Sequence, residues 1–396
     1  MRKFWLFAAA LLLTAASSVA SQKSKFVYVS TDNGAIYQFQ ITGTGSLRPL
    51  KPSNIQAANE AVQLVLHPSG RFVYAVTVHR LNSGHAPTQV TGYRINPNGT
   101  LTTLAWEPRT LAAPADTAAI DPTGRFLFVS GEDDRLFTFR IQSDGALTPL
   151  ADNKNVRTFH IDMQGDGGGE VTGTYNYNIL SFDPAGRFLY LCTVRYGFDS
   201  RHTDFLPYRL DKKGILHPLG HGVHEMGEAN PCFTTPHGDL FVARRYGDND
   251  GTYEYHIGPL GRLTPTSPSV LPGQFAILAT EGPAGETLWT YSPIAKDFRK
   301  YSLTSYHIGR DGRLTPKAAH MVVLPWTTSI RAGVSGHFLY ATDYKQGDYT
   351  HKPHSSLLGF TVTAQGTLKP VAASPPQVGG ECISLVVTSG PASAAK

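Results

Sequence analysis

Short apolar runs of strand length alternate with turn phrases along most of the chain. Val62-Gln63-Leu64-Val65-Leu66 leads into His67-Pro68-Ser69-Gly70. Arg71-Phe72-Val73-Tyr74-Ala75-Val76 follows, rich in aromatic and β-branched residues. That order predicts a β-hairpin, because such residues suit a pleated, half-buried surface and the polar phrase supplies the reversal. The pattern returns at Asp121-Pro122-Thr123-Gly124-Arg125-Phe126-Leu127-Phe128 and at Asp183-Pro184-Ala185-Gly186-Arg187-Phe188-Leu189-Tyr190. Weaker copies stand at Thr235-Pro236-His237-Gly238, Gly282-Pro283-Ala284-Gly285 and Gly333-Val334-Ser335-Gly336. Asp-Pro-x-Gly fits a type I turn: Asp accepts a hydrogen bond, Pro presets φ and Gly relieves the exit. Heptads, long helices and low-complexity tracts are absent from the sequence.

A second phrase, Gly-x-Leu usually followed by Pro, begins at Gly45, Gly99, Gly145, Gly214, Gly261, Gly312 and Gly366. Successive copies lie 54, 46, 69, 47, 51 and 54 positions apart. A period near 50 belongs to propellers and solenoids. Asp144-Gly145 and Asp311-Gly312 mark a second hairpin inside each repeat. Each unit therefore predicts four strands, in the order inner, second, third, outer. The ends are complementary. Phe26–Ser30 reads as a second strand with no inner strand before it, and Glu381–Val387 as an inner strand with nothing after it. Pairing them completes one blade and removes open sheet edges. The expectation is an all-β, seven-bladed β-propeller of four-stranded antiparallel blades.

Composition bounds the reading. Residues 1–20 predict a secretory signal: Arg2 and Lys3, an apolar run from Phe4 to Ala16, then Ser18-Val19-Ala20 before the cleavage point. Residues 21–388 form the propeller and 389–396 a flexible tail. The apolar run is shorter than the ~20 residues that span a bilayer, so no stable membrane span is expected after cleavage. Loss of Arg2 and Lys3 lowers the formal charge from +5 to +3, which gives no footprint for nucleic acid. A secreted or periplasmic monomer is expected. Cys192, Cys232 and Cys382 read as small buried hydrophobes, and an odd count leaves at least one free thiol.

The phrases HPSGRFVYAV, DPTGRFLFVS and DPAGRFLYLC, with the DGxLTPL echo, resemble the lactonase family of seven-bladed β-propellers. That family includes propeller-type 6-phosphogluconolactonases and a carboxymuconate-lactonising enzyme. The resemblance runs from about Phe26 to Val387 and implies hydrolysis of a small, sugar-type lactone. Where family lactonases tend to carry a His-rich phrase before inner strands, this chain reads Thr174-Tyr175-Asn176-Tyr177-Asn178 and Thr328-Ser329-Ile330-Arg331.

Propellers place ligands at one mouth of the central channel, where the loops entering the inner strands meet those joining second to third strands. Lactone opening needs a base for water and a cation or donors for the oxyanion. Glu228 or Glu381 is the expected base. Arg195, Arg244 and Arg245 are expected to hold the carbonyl oxygen, since a guanidinium grips oxyanions in a fork. Glu60, Tyr177, His202, Arg331 and Lys345 are expected to line the substrate site. The stretch from His217 to Glu225, with His221 and His224, is the densest set of ligand-type side chains. Its spacing matches no helical zinc motif, so surface histidines are expected there. Asp162, Asp166 and Glu170 around Gly167-Gly168-Gly169 lack the EF-hand order and read as a lid or linker. Neither a metal nor a cofactor is expected. The alternative is a non-catalytic secreted propeller that binds a carbohydrate, peptide or protein partner through a Tyr-rich face of Tyr175, Tyr177, Tyr196 and Tyr246.

Overall fold

The computed structural model describes residues 26–58, 62–78, 88–111, 114–131, 136–150, 176–196, 201–220, 222–235, 238–245, 250–266, 271–282, 285–294, 297–309, 313–316, 322–325, 332–335, 338–345, 354–363, 367–371 and 376–391. They form seven antiparallel sheets, the blades of a propeller. The inner strands are Cys382–Thr388, Val62–Leu66, Ala115–Ile120, Asn176–Phe182, Glu228–Thr234, Phe275–Gly282 and Ala332–Ser335. Each contacts the next, and the last returns to the first. We number the blades one to seven in that order. In blade one, Phe26 pairs with Thr388 and Val29 with Leu385, so the two chain ends close the ring.

Each blade follows the expected four-strand order, inner to outer, and the outer strand adds a detail. In five blades it is split, and both pieces pair with the third strand. In blade four, Leu216–Pro218 pairs with the end of Arg201–Leu210, and Val223–Met226 with its beginning. The first piece generally ends at a proline, which has no N–H for the ladder and sits on the sheet edge, where that lack is tolerated.

The two repeated phrases exist because they touch each other across blade boundaries. In blade two, Phe72 and Tyr74 point at the Gly145 hairpin of blade three. Tyr74 donates to the Gly145 carbonyl at 2.9 Å. A Cβ on Gly145 would stand 2.8 Å from the Phe72 ring and 2.8 Å from Leu104, and its φ is +87°. Only glycine satisfies both the turn and the close approach. The same bond recurs from Tyr28 to Gly99, Tyr190 to Gly261 and Tyr340 to Gly45, the last across the ring closure. Burial raises all four phenols above their ordinary range. Blade three carries Phe128 at the matching position, which has no hydroxyl.

The Asp-Pro-x-Gly turns are held from within. Asp121 is fully buried, and one carboxylate oxygen accepts from the N–H groups of Arg125 (2.8 Å) and Phe126 (2.6 Å). Asp183 does the same for Arg187 and Phe188. The arginines then lie over the following rings, Arg71 on Phe72, Arg125 on Phe126 and Arg187 on Phe188.

The reading of all three cysteines as simple hydrophobes is corrected. Cys192, in the second strand of blade four, is bonded to Cys232, in the inner strand of blade five. The disulfide crosses a blade boundary, which spacing alone does not reveal. Cys382 is buried and stands outside this disulfide, its thiol donating to the Ser384 carbonyl.

Candidate active site

The inner strands begin at one face of the ring, and the second and third strands join there too. Side-chain hydroxyls fix where these strands start. Thr203 of blade four donates to Gly227 O (2.9 Å) and accepts from Ala229 N–H (3.0 Å). Ser355 of blade seven does the same with Gly380 O (3.0 Å) and Cys382 N–H (2.9 Å). The residues between these anchors are Glu228 and Glu381, the two carboxylates expected to serve as base. They hold equivalent positions, and both are half-buried. Asp32 braces the second: its carboxylate accepts the Glu381 N–H at 3.0 Å, and its own N–H donates to Glu381 O at 2.9 Å. The two glutamates lie three blades apart around the ring, so they are not a neighbouring pair.

Register places the other expected residues. Arg195 stands opposite Asn176 on one side and His202 on the other. Arg245 stands opposite Glu228, Tyr177 opposite Val194, and Lys345 opposite His354. Glu60 and Arg331 lie outside the described residues, as do Asp162, Asp166 and Glu170. Arg195, His202, Glu228, Arg244 and Arg245 thus stand near strand ends of blades four and five on that face.

Arg244 has a specific engagement. Its side chain is 10% exposed and donates to Glu225 Oε2 at 2.6 Å. It lies 3.7 Å over the Tyr253 ring and donates to the Tyr253 hydroxyl. The Tyr255 hydroxyl donates to Glu225 Oε1 at 3.1 Å, and burial followed by the Glu225 charge holds this phenol protonated. The network runs between the split outer strand of blade four and the second and third strands of blade five. Glu225 is the carboxylate partner of Arg244 among the described residues.

A second cluster lies on the other side of the same strand piece. His224 Nδ1 meets Asp204 Oδ1 at 2.7 Å. The Asp204 side chain is 2% exposed and that of His224 is 43% exposed. A buried carboxylate bound to Nδ1 fixes the imidazole's orientation and leaves Nε2 for chemistry. The His202 ring stacks on His224 with centroids 5.1 Å apart. Asp204 escaped the sequence reading because it sits mid-strand in no motif. Its partner belonged to the His217–Glu225 cluster, whose members separate: His217 turns to Asp211 at 3.0 Å. Among the described residues, no three His, Cys, Asp or Glu side chains converge as metal ligands.

These blades define a seven-bladed propeller, with a carboxylate–histidine pair between the third strand and the outer strand of blade four. The profile of the family described as "Lactonase, 7-bladed beta-propeller" matches residues 21–193. The chain resembles that family, by sequence over the matched segment and by fold over nearly its whole length. No curated protein matches it in sequence. A candidate 6-phosphogluconolactonase from Bacteroides fragilis superposes with a TM-score of 0.64 at 16% identity, over 93% of this chain and 99% of that one. A protein from Lactobacillus plantarum gives 0.59 at 15%, over 92% and 99%. A functionally unknown protein from Desulfotomaculum acetoxidans gives 0.51 at 9%, over 90% and 98%. Identities this low speak for the fold alone.

Proposed function

We propose that this protein is an exported lactone hydrolase that works at blade four, on the side that faces blade three. His224 is its general base and Asp204 the residue that orients it. The observation that carries the reading is the 2.7 Å contact between buried Asp204 and half-exposed His224. An imidazole held this way takes a proton from water as the water attacks the lactone carbonyl. The tetrahedral oxyanion needs a cation, and Arg195, opposite His202 in register, is proposed for it. Collapse breaks the ring C–O bond, and the imidazolium returns its proton to the leaving alkoxide. The product is a hydroxy acid, which releases a proton near neutral pH. Export, with cleavage after Ala20, is proposed from the signal-like pattern of residues 1–20, and the periplasm or the cell exterior is the proposed location.

The test is proton release in weak buffer by the mature protein, Ser21 onward, on a panel of aldonolactones and alkyl lactones. Turnover should fall about 10²–10⁴-fold in His224→Gln, with the melting temperature kept. Turnover unchanged in that variant would move the base elsewhere, Glu228 first. Absence of turnover on every lactone would replace the hydrolase by a binding propeller.

A further inference from the structure

At the opposite end of blade four lies a cavity of about 680 Å³ between blades four and five. His202 and Arg209 mark the two ends of one strand, so the cavity sits roughly 23 Å from the mouth cluster. Its apolar wall is Phe188, Leu210 and Leu219, with Pro259 and Leu260 at the lip. Its cations are Arg187, Arg209 and Arg262. Arg187 is bound to Asp183 at 3.1 Å. Arg209 and Arg262 are exposed, and neither meets a carboxylate or carbonyl among the described residues.

The ring supplies its own control. One blade earlier, Arg140 occupies the position of Arg209, opposite Phe126 as Arg209 is opposite Phe188. Arg140 folds over the Phe126 ring at 4.9 Å and donates to Lys213 O at 3.3 Å, which covers that ring. The hairpin facing it, Asp211-Lys212-Lys213-Gly214, also carries an acid. Between blades four and five the facing hairpin is Gly258-Pro259-Leu260-Gly261. No acid stands there, and Leu260 is 74% exposed, the one exposed large hydrophobic residue among those described. The cleft between blades four and five thus holds two exposed guanidinium groups, faces a hairpin without an acid and has an apolar side chain beside them.

We infer that this cleft is a binding site for a small amphipathic organic anion: a carboxylate or similar oxyanion head held by Arg209 and Arg262, with an apolar body against Phe188, Leu210, Leu219 and Leu260. A guanidinium pair favours a planar oxyanion in a fork. The volume falls within the range of small-molecule sites. The inference does not depend on catalysis at His224.

The probe is 4-phenylbutyrate, followed by isothermal titration calorimetry, with 4-phenylbutanol as its uncharged counterpart and inorganic phosphate as a head without a body. The mature protein should bind 4-phenylbutyrate one to one, and both controls should bind about tenfold more weakly or less. The Arg209→Gln/Arg262→Gln double variant should weaken binding about tenfold or more, and Leu260→Ser several-fold. All three side chains are exposed, so a melting curve close to that of the parent is expected for each variant. Equal binding of the alcohol, unchanged binding in the double variant, or no saturable heat with 4-phenylbutyrate would each overturn the inference.

Discussion

Gly145→Ala tests whether the repeated phrases are built to meet across blade boundaries. The substitution adds one methyl group at φ +87°, 2.8 Å from the Phe72 ring and 2.8 Å from Leu104. A left-handed backbone costs a residue with a Cβ roughly 1–2 kcal/mol. Phe72 is 2% exposed and cannot swing outward, so overpacking adds roughly 1–3 kcal/mol. The expected loss is about 2–5 kcal/mol, with Tyr74 drawn away from the Gly145 carbonyl. Over a propeller of this length, at about 2.1 cal/mol/K per residue, that loss lowers the melting temperature by roughly 3–6 °C. Gly43→Ala is the control, two residues before the equivalent hairpin glycine of blade one. Nothing lies within 4 Å of its added Cβ, and its φ is not positive. It should be neutral or slightly stabilising. Calorimetry on both variants decides. A Gly145→Ala melt within a degree of the parent, or no lower than that of Gly43→Ala, would refute the reasoning.

Three further outcomes are expected. Cys192→Ser opens a 40-residue loop and should cost about 4 kcal/mol on chain-entropy grounds, read from urea midpoints against the oxidised parent; a loss below 1 kcal/mol would detach the disulfide from stability. Burial, helped by Arg71, lowers the His67 pKa below its ordinary value despite the Gly124 carbonyl and Asp121. The unfolded chain therefore takes up this proton first as pH falls, so stability is complete above about pH 6.5 and declines below it. His67→Gln should flatten that part of the melting-temperature profile between pH 7.5 and 5.5, and an unaltered slope would contradict the assignment. Glu225→Gln leaves the mostly buried Arg244 without its counter-charge and should destabilise by roughly 1–3 kcal/mol in denaturant titrations; a neutral result would make the network ornamental.

Much of the fold was legible because local chemistry repeats. Asp-Pro-x-Gly fixes one hairpin, Gly-x-Leu-x-Pro the other, and the mismatched ends point to closure in a single blade. What stayed hidden depends on register across gaps and on contacts between blades. The outer strand of blade four stops at Pro218 and resumes at Val223, and that interruption resets which residues face each other. Asp204 opposite His224 follows only from the second register. Cys192 and Cys232 occupy different strand positions in different blades, so nothing in either repeat phrase brings them together. The ion-pair partner of Arg244 was not legible, because Glu225 belongs to the resumed piece. Glu228 and Glu381 were easier, since each opens an inner strand and the strand order alone sets them at the mouth.

Imidazole rescue of His224→Gly addresses the central claim most directly. The variant removes the ring while Asp204 stays, and proton release is followed on the lactone that the parent opens fastest. Activity that is lost in the variant and returns in proportion to added imidazole is the predicted result, because a free imidazole can sit against Asp204 and serve as the base. Lactone opening at the parent rate without imidazole would contradict it, and so would activity that imidazole fails to restore in a variant shown to be folded.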